Sequence, residues 1–581
     1  SMQSLLGVGG ELGLAGWFFF WMQIRDKEDY KKQMNWLSIS AVLVGIASIL
    51  VFMIPNSRLP WIWPEKNPLI SINQGWSLAG GLLAEAGLFL FLLVAWLKRF
   101  VKKLKEKADF GTYLVEAMAV VFFGLLTFLS VYKIIKLGWM YLDWRSSWTI
   151  AVETLKVKAL FGVGAGNFLE AFSKFRPASY NMTNLWASAL LISGMGILHL
   201  WTELGLVGLI SIILVTLSVI KLRRDRGFGE VLLLGLMVLF LPPTFLLTML
   251  LFWVTASNFD ETREMKMVLP LGEKKFNIMP YLVSVVMLVV VGFGVFRVIK
   301  ATIADFYYRQ SLLATSRNDG AATYNNQIKA IANNPNLADY RAVYSQTNLA
   351  LANNFMTVGT GETLSAENKE KASTLIQQAV REAQAAVSLD KNIGSYWFNL
   401  GSIYQSLVGV IDGALDWAVQ SYQQAAAADP VNSTYNMSLG SLIYGTGNYS
   451  LAERYFEEAI VDKNNFANAW YNRAHSAKQQ NKLQDAVTYM GQALNLVAVD
   501  SDDYKKAKGE LDEWQKQLDE AIAQYQAQLK QQQAGQKTPV EAETLKTPEP
   551  LPTMGEEERV NVPEEDLEPK ITVVPTVTPG E

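Results

Sequence analysis

The chain contains no cysteine. Disulfides, thiolate nucleophiles and cysteine-based metal centres are therefore excluded. Histidine is almost as scarce, with only His199 and His475 present. That leaves little material for imidazole metal sites or acid–base chemistry. The first residues have neither the basic stretch nor the cleavage site of a secretory signal. Charge is thin as well: Asp, Glu, Lys and Arg make up 18% of the chain and the net charge is -3. No soluble basic region is present to serve as a nucleic-acid surface. What fills the space is apolar: half of the residues are hydrophobic and 17 are tryptophan. Such a composition points to a membrane protein rather than a soluble globular one.

The pattern along the chain predicts an all-α protein: a polytopic transmembrane helix bundle, then a helical solenoid, then a disordered tail. Residues 1–300 form the transmembrane domain, in which apolar stretches near 5–24, 36–54, 76–97, 113–137, 203–220, 230–255 and 279–299 reach the length of about 20 residues that a span needs. Basic clusters at 25–33, 98–107 and "KLRRDR" (221–226) read as cytoplasmic. The loop 139–202 then falls outside. The sixth stretch carries Pro242 and Pro243, which remove two backbone donors. It is either one kinked span or a hairpin that enters and leaves on the same side. Arg263, Lys266, Lys274 and Lys275 place the next loop inside, which supports the hairpin and sends the C-terminal half to the extracytoplasmic side.

Residues 305–520 show an internal repeat. Gly440 and Ala474, Ala452 and Ala486, Phe456 and Met490, and Ala459 and Ala493 are each 34 positions apart. Ala418, Tyr422 and Ala425 keep the same step, while Gly401 is displaced by five extra residues around "GVIDG". A looser helical pair precedes them at 338–390. The spacing resembles tetratricopeptide (TPR) repeats, which stack into a solenoid with a groove for a peptide or protein ligand. Residues 530–581 hold eight prolines and no aromatic, a composition that cannot bury a core.

The loop 139–202 contains "FGVGAGNFLEAF". Three glycines in five residues suggest a nucleotide cradle, but no strand precedes them and no "GK[ST]" follows. The alternative is a turn lying against the membrane. Around it, Arg145, Trp148, Gly162, Gly164, Gly166, Asn167, Phe168, Glu203, Gly205 and Gly208 fall in the order and spacing of a known pattern. It resembles that of the O-antigen ligase and polymerase family of membrane glycosyltransferases.

That resemblance implies a bacterial plasma-membrane enzyme without cofactor or metal. It would move a glycan from a polyprenyl-diphosphate-linked carrier in the lipid bilayer to an extracytoplasmic acceptor, in cell-surface polysaccharide or glycoprotein assembly. Arg145 fills the place of the family arginine, and Arg176 and Lys174 add positive charge for the diphosphate. Gly162, Gly164, Gly166 and Asn167 shape the loop.

The family histidine would fall at Ser193–Gly194, where this chain has no imidazole. His199 and Glu203, four apart on one helix face, are the candidate catalytic pair. Otherwise His199 is an interfacial residue among Leu198, Leu200 and Trp201. The family has about a dozen spans against about seven here, so its N-terminal half is absent from this sequence or the carrier pocket is incomplete. The rival reading is a non-catalytic membrane-anchored TPR scaffold. Glu11, Glu85 and Glu203, in "ELGL", "EAGL" and "ELGL", either line one cavity or, the reading favoured for Glu11 and Glu85, reach water near the interface, with their glycines permitting close helix packing.

Overall fold

A computed structural model describes residues 27–53, 77, 79, 81–106, 110–138, 141–222, 228–257, 278–357 and 365–535. Among these residues all regular structure is helical. The expected span 5–24 with Glu11, the loop 258–277 and the tail from 536 lie outside the described residues. The chain divides into two compact units, Ser1–Gln515 and Lys516–Glu581. In the second, the described residues are helical as far as Gly535.

The first unit begins with α1 (Lys27–Met53), α2 (Leu82–Lys105) and α3 (Phe110–Leu137), which pack on one another. Three stretches are long and apolar enough to cross a membrane: Lys32–Leu50, Tyr113–Leu137 and Gly196–Leu217. Their large apolar side chains face outward as well as inward. Val121 is 71% exposed and Ile135 74%, a cost in water that hydrocarbon removes. Inward, small residues admit close neighbours: a Cβ on Gly87 would come within 2.7 Å of Leu247.

Glu85 departs from expectation. It does not reach water; its side chain and that of Lys133 are fully buried, 4.0 Å apart. Glu85 Oε1 accepts hydrogen bonds from Ser48 (2.5 Å) and Ser130 (2.8 Å), and Lys133 donates to the Ser48 carbonyl at 2.9 Å. A charge out of water is tolerated only when it is paired and hydrogen-bonded. The network joins α1, α2 and α3 in an otherwise apolar core.

The sixth expected stretch is two short helices, α7 (Phe228–Phe240) and α8 (Phe245–Ser257), 13 residues each, on either side of the Pro242–Pro243 break. At 1.5 Å per residue each is about 20 Å long, less than the ~30 Å of a hydrocarbon core. Between α3 and α7 lie α4 (Trp144–Val157), α5 (Phe168–Phe175) and α6 (Gly196–Leu222).

Helix α9 (Ile278–Ser316) runs unbroken for 39 residues through the expected boundary at 300–305. Its first half exposes Leu288 and Phe293, and its second half packs on α10 (Gly320–Asn333). The pairs α11/α12 (Ala338–Thr357, Ala366–Leu389), α13/α14 (Gly394–Ser406, Ala414–Ala428), α15/α16 (Ser433–Gly445, Tyr449–Asp462) and α17/α18 (Ala467–Gln479, Leu483–Leu494) follow, then α19 (Asp502–Gly535).

The 34-residue step has a steric cause. Gly401 sits against the Tyr422 ring and Gly440 against Phe456, where an added Cβ would lie 2.7 Å from ring carbons. In the next repeat Ala474 and Met490 are both fully buried. One small residue per first helix lets the large residue of the second helix lie flat on its backbone.

Gly440→Ala is therefore expected to cost about 1–3 kcal/mol by overpacking. Gly491→Ala, on a helix with open space around it, should instead gain about 0.5–1 kcal/mol from backbone entropy and propensity. Thermal or denaturant unfolding of the two variants checks the sign of each change.

Candidate functional site

Helix α4 starts where Asp143 caps it, accepting from the backbone N–H groups of Arg145 and Ser146 at 2.9 Å. Ile150, Ala151 and Thr154 turn inward, while Trp144, Arg145 and Trp148 lie on the exposed side. The Arg145 guanidinium stands 5.6 Å from the Trp144 ring and has no carboxylate partner among the described residues. Trp148 meets Trp201 of α6 edge-on at 5.5 Å. Lys174 is also exposed, beside Phe175.

The glycine stretch has a definite job. Gly205 interrupts α6 with φ 61 and ψ -148. The Thr202 and Glu203 carbonyls then accept from Val163 (3.0 Å) and Gly164 (2.8 Å), and Leu206 and Val207 donate back to Ala159 and Leu160 at 3.0 and 3.1 Å. Two backbone segments are laced together through a broken helix. Gly162 (φ 58) packs so tightly on the Thr202 carbonyl that no Cβ fits, and Gly164 and Gly166 also have positive φ. Because the N–H groups of Val163 and Gly164 are committed to α6, they do not face a phosphate. Asn167 completes the turn by donating to the Val163 carbonyl at 3.1 Å.

The same lacing positions Glu203. Its Oε1 accepts from the Phe168 N–H at 3.2 Å, at the start of α5, and lies 3.5 Å from His199 Nε2. The imidazole packs on Phe168, and its Nδ1 is buried without a partner. His199 and Glu203 are thus brought together as the spacing predicts. At Ser193–Gly194, Gly194 is jammed against the Leu142 carbonyl and Ser193 is fully buried, so an imidazole at position 194 has no room.

Arg176 does not join Arg145. It is 6% exposed and pairs with Asp429, at the end of α14, across 3.1 Å. A guanidinium neutralised in this way is a poor ligand for a diphosphate. Asn181, Lys463, Trp186 and Phe466, whose contacts sequence reasoning missed, complete the arrangement. Asn181 donates to the Val431 and Asp462 carbonyls at 2.7 and 2.9 Å, and its own carbonyl accepts from Lys463 at 2.8 Å. The Lys463 ammonium also lies 4.6 Å from the Trp186 ring, and Trp186 packs on Phe466. The loop is therefore clasped to the solenoid. No local signal reveals this, since Asn181 is 250 or more positions from its acceptors.

Burial dominates the charges here. It lifts the Asp429 carboxyl to about 6 against the opposing pull of Arg176, and it lifts Asp462 to about 6 as well. It also pushes the Lys463 ammonium down.

No family model matches the chain, and no curated protein matches it. Solved structures give partial similarities. PilF of Pseudomonas aeruginosa is 17% identical, covers 41% of this chain and 94% of its own, and has a TM-score of 0.29. A thermophilic TPR protein of Thermus thermophilus is 14% identical over 36% of this chain and 98% of its own, TM-score 0.27. YrrB, described as a TPR protein with an unusual peptide-binding site, is 15% identical over 35% and 90%, TM-score 0.25. At these scores the likeness adds no detail, and the repeat rests on the helix pairs and spacing of the chain itself.

The clasp has a pH signature. Asp429 has a folded pKa above its ordinary value, so the folded state takes up a proton between pH ~6 and ~4. Its contribution to stability is fully present below the unfolded pKa and is lost as pH rises through about 6. Asp429→Asn should flatten the melting temperature profile over that window relative to the parent protein. An unchanged slope would show that Asp429 is solvated.

Proposed function

We propose that the chain is a membrane-anchored helical-repeat scaffold whose solenoid binds a protein or peptide. The observation that carries this reading is the clasp: Arg176–Asp429 and the reciprocal Asn181–Lys463 contacts hold the solenoid against the loop between α3 and α6. The unbroken helix α9 supports it too, since it joins an apolar segment to the first repeat without a linker. In this reading the solenoid shares the side of the membrane on which that loop lies, and the placement of basic residues favours the extracytoplasmic side. In a polytopic arrangement, the two-arm form of α7 and α8 agrees with that sidedness.

A cysteine-free chain makes sidedness directly readable. Leu160→Cys in the loop and Val461→Cys in the repeats, both at exposed positions, should react together with a membrane-impermeant maleimide in intact cells. Reaction of one in intact cells and of the other only after lysis would refute the shared side.

A second reading has its own support. Arg145 without an acidic partner, the Trp148–Trp201 pair and the His199–Glu203 contact stand on one laced unit, as the resemblance to O-antigen ligases requires. In that reading Arg145, with Lys174 beside the same loop, holds the diphosphate of a polyprenyl-linked glycan. Glu203, steered by His199, accepts the proton of the incoming hydroxyl. Arg176 serves the clasp instead of the substrate. Purified protein in lipid, given a polyprenyl-diphosphate glycan and an acceptor, should then transfer at least ~100-fold more slowly as Arg145→Ala. Equal rates in parent and variant, or no transfer by either, leave the scaffold alone.

A further inference from the structure

A cavity of about 400 Å³ opens between α9, α11 and α13, the first helices of three successive pairs. Its volume is in the range of sites that enclose a small ligand or one large side chain. Asp305, Asp339, Tyr308, Tyr340, Tyr396 and Asn399 stand on its wall. The two carboxylates lie at exposed positions. Tyr340 donates its hydroxyl to Asp305, and Tyr396 donates to Asp339 at 2.7 Å. Among the described residues neither carboxylate has a Lys or Arg partner.

Asn399 adds an independent observation. It is 5% exposed, and its Oδ1 is buried without a hydrogen-bond partner. The orientation of its amide is set by its neighbour. The Ser345 hydroxyl donates its one proton to the Ala342 carbonyl at 2.6 Å, so it must accept from Asn399 Nδ2 at 2.9 Å. The amide oxygen is left as an acceptor, and a buried acceptor without a donor costs about 1–3 kcal/mol. The tyrosines do not supply that donor. The Tyr396 and Tyr340 protons are committed to Asp339 and Asp305, and no tyrosine hydroxyl lies within hydrogen-bond reach of Asn399 Oδ1.

The pocket is thus built from two carboxylates, one orphaned amide oxygen and aromatic walls. That set matches a planar, multi-donor cation with an apolar stem. We propose that this cavity takes the arginine side chain of a peptide lying along the first helices of the solenoid. The guanidinium would donate to Asp305, Asp339 and Asn399 Oδ1 and stack on the tyrosine faces. The inference rests on the scaffold reading and names the chemistry of its ligand.

The test uses the full chain in lipid nanodiscs and a fluorescein-labelled Ala/Thr-rich peptide with one central arginine. Its partner probe replaces the arginine by citrulline, which keeps the shape and removes the charge. The arginine peptide should bind at least tenfold tighter than the citrulline peptide. Asp339→Asn and Asp305→Asn should each reduce arginine binding about tenfold or more, while Asp416→Asn, away from the cavity, should not. The exposed positions of Asp305 and Asp339 keep the variants folded, which unchanged melting temperatures would verify.

Equal binding of the two peptides, or wild-type affinity in both pocket variants, would overturn the cation site while leaving a scaffold that binds other sequences. Binding of neither peptide would likewise overturn it. Competition by free spermidine at the affinity of the arginine peptide would show a polyamine site and overturn the peptide assignment. Failure of the scaffold reading itself appears elsewhere, in the cysteine labelling.

Discussion

A guanidinium taken out of water needs an anion beside it, and among the described residues Arg176 finds it in Asp429. That single requirement ties the loop after α3 to the end of α14. It brings Asn181 within reach of two solenoid carbonyls and turns Lys463 back onto the loop. None of these groups is stable alone in its place, because each buried donor or charge depends on the next. The apolar helices and the repeats lie in one compact unit, Ser1–Gln515. The Glu85–Lys133 network applies the same rule among α1, α2 and α3.

The fold was legible where its cause is periodic. Gly401, Gly440 and Ala474 mark the close helix crossings because only a small residue leaves room for Tyr422, Phe456 and Met490. Pro242 and Pro243 marked the break between α7 and α8 because proline lacks the donor a helix needs. The candidate site was legible in part. His199 and Glu203 meet because four residues make one helical turn. The glycines of "FGVGAGNF" signalled tight backbone, but their partner was hidden. It is the interrupted stretch around Gly205, about 40 residues further on, whose freed carbonyls no local pattern announces. The pairing of Arg176 was hidden for a related reason. Its sequence neighbourhood resembled a phosphate-gripping loop, and only the distant Asp429 decides where its charge is spent. The contact between Asn181 and Lys463 could not be found from one sequence, since no local spacing joins residues 282 positions apart.

The laced turn also bears on the two functional readings. A backbone whose donors are consumed by α6 is a rigid support and not itself an anion receptor. Any grip on a diphosphate falls to side chains, with Arg145 foremost. The solenoid offers the opposite character: carboxylates, tyrosines and an unsatisfied amide oxygen on one wall. If both proposals above hold, one unit carries a groove that takes a cation and a loop that takes an anion.

Helix α9 has a mechanical consequence. Thirty-nine residues without a break form a rod of about 58 Å, of which one part is apolar and the other belongs to the first repeat. A rod has no swivel. When a bilayer thickens or thins, an embedded helix answers by leaning, and in the scaffold proposed above that lean would be delivered undiminished to the first wall of the solenoid. Lipid composition would then act as a lever on the angle at which the repeats stand, opposed by the clasp at Asp429.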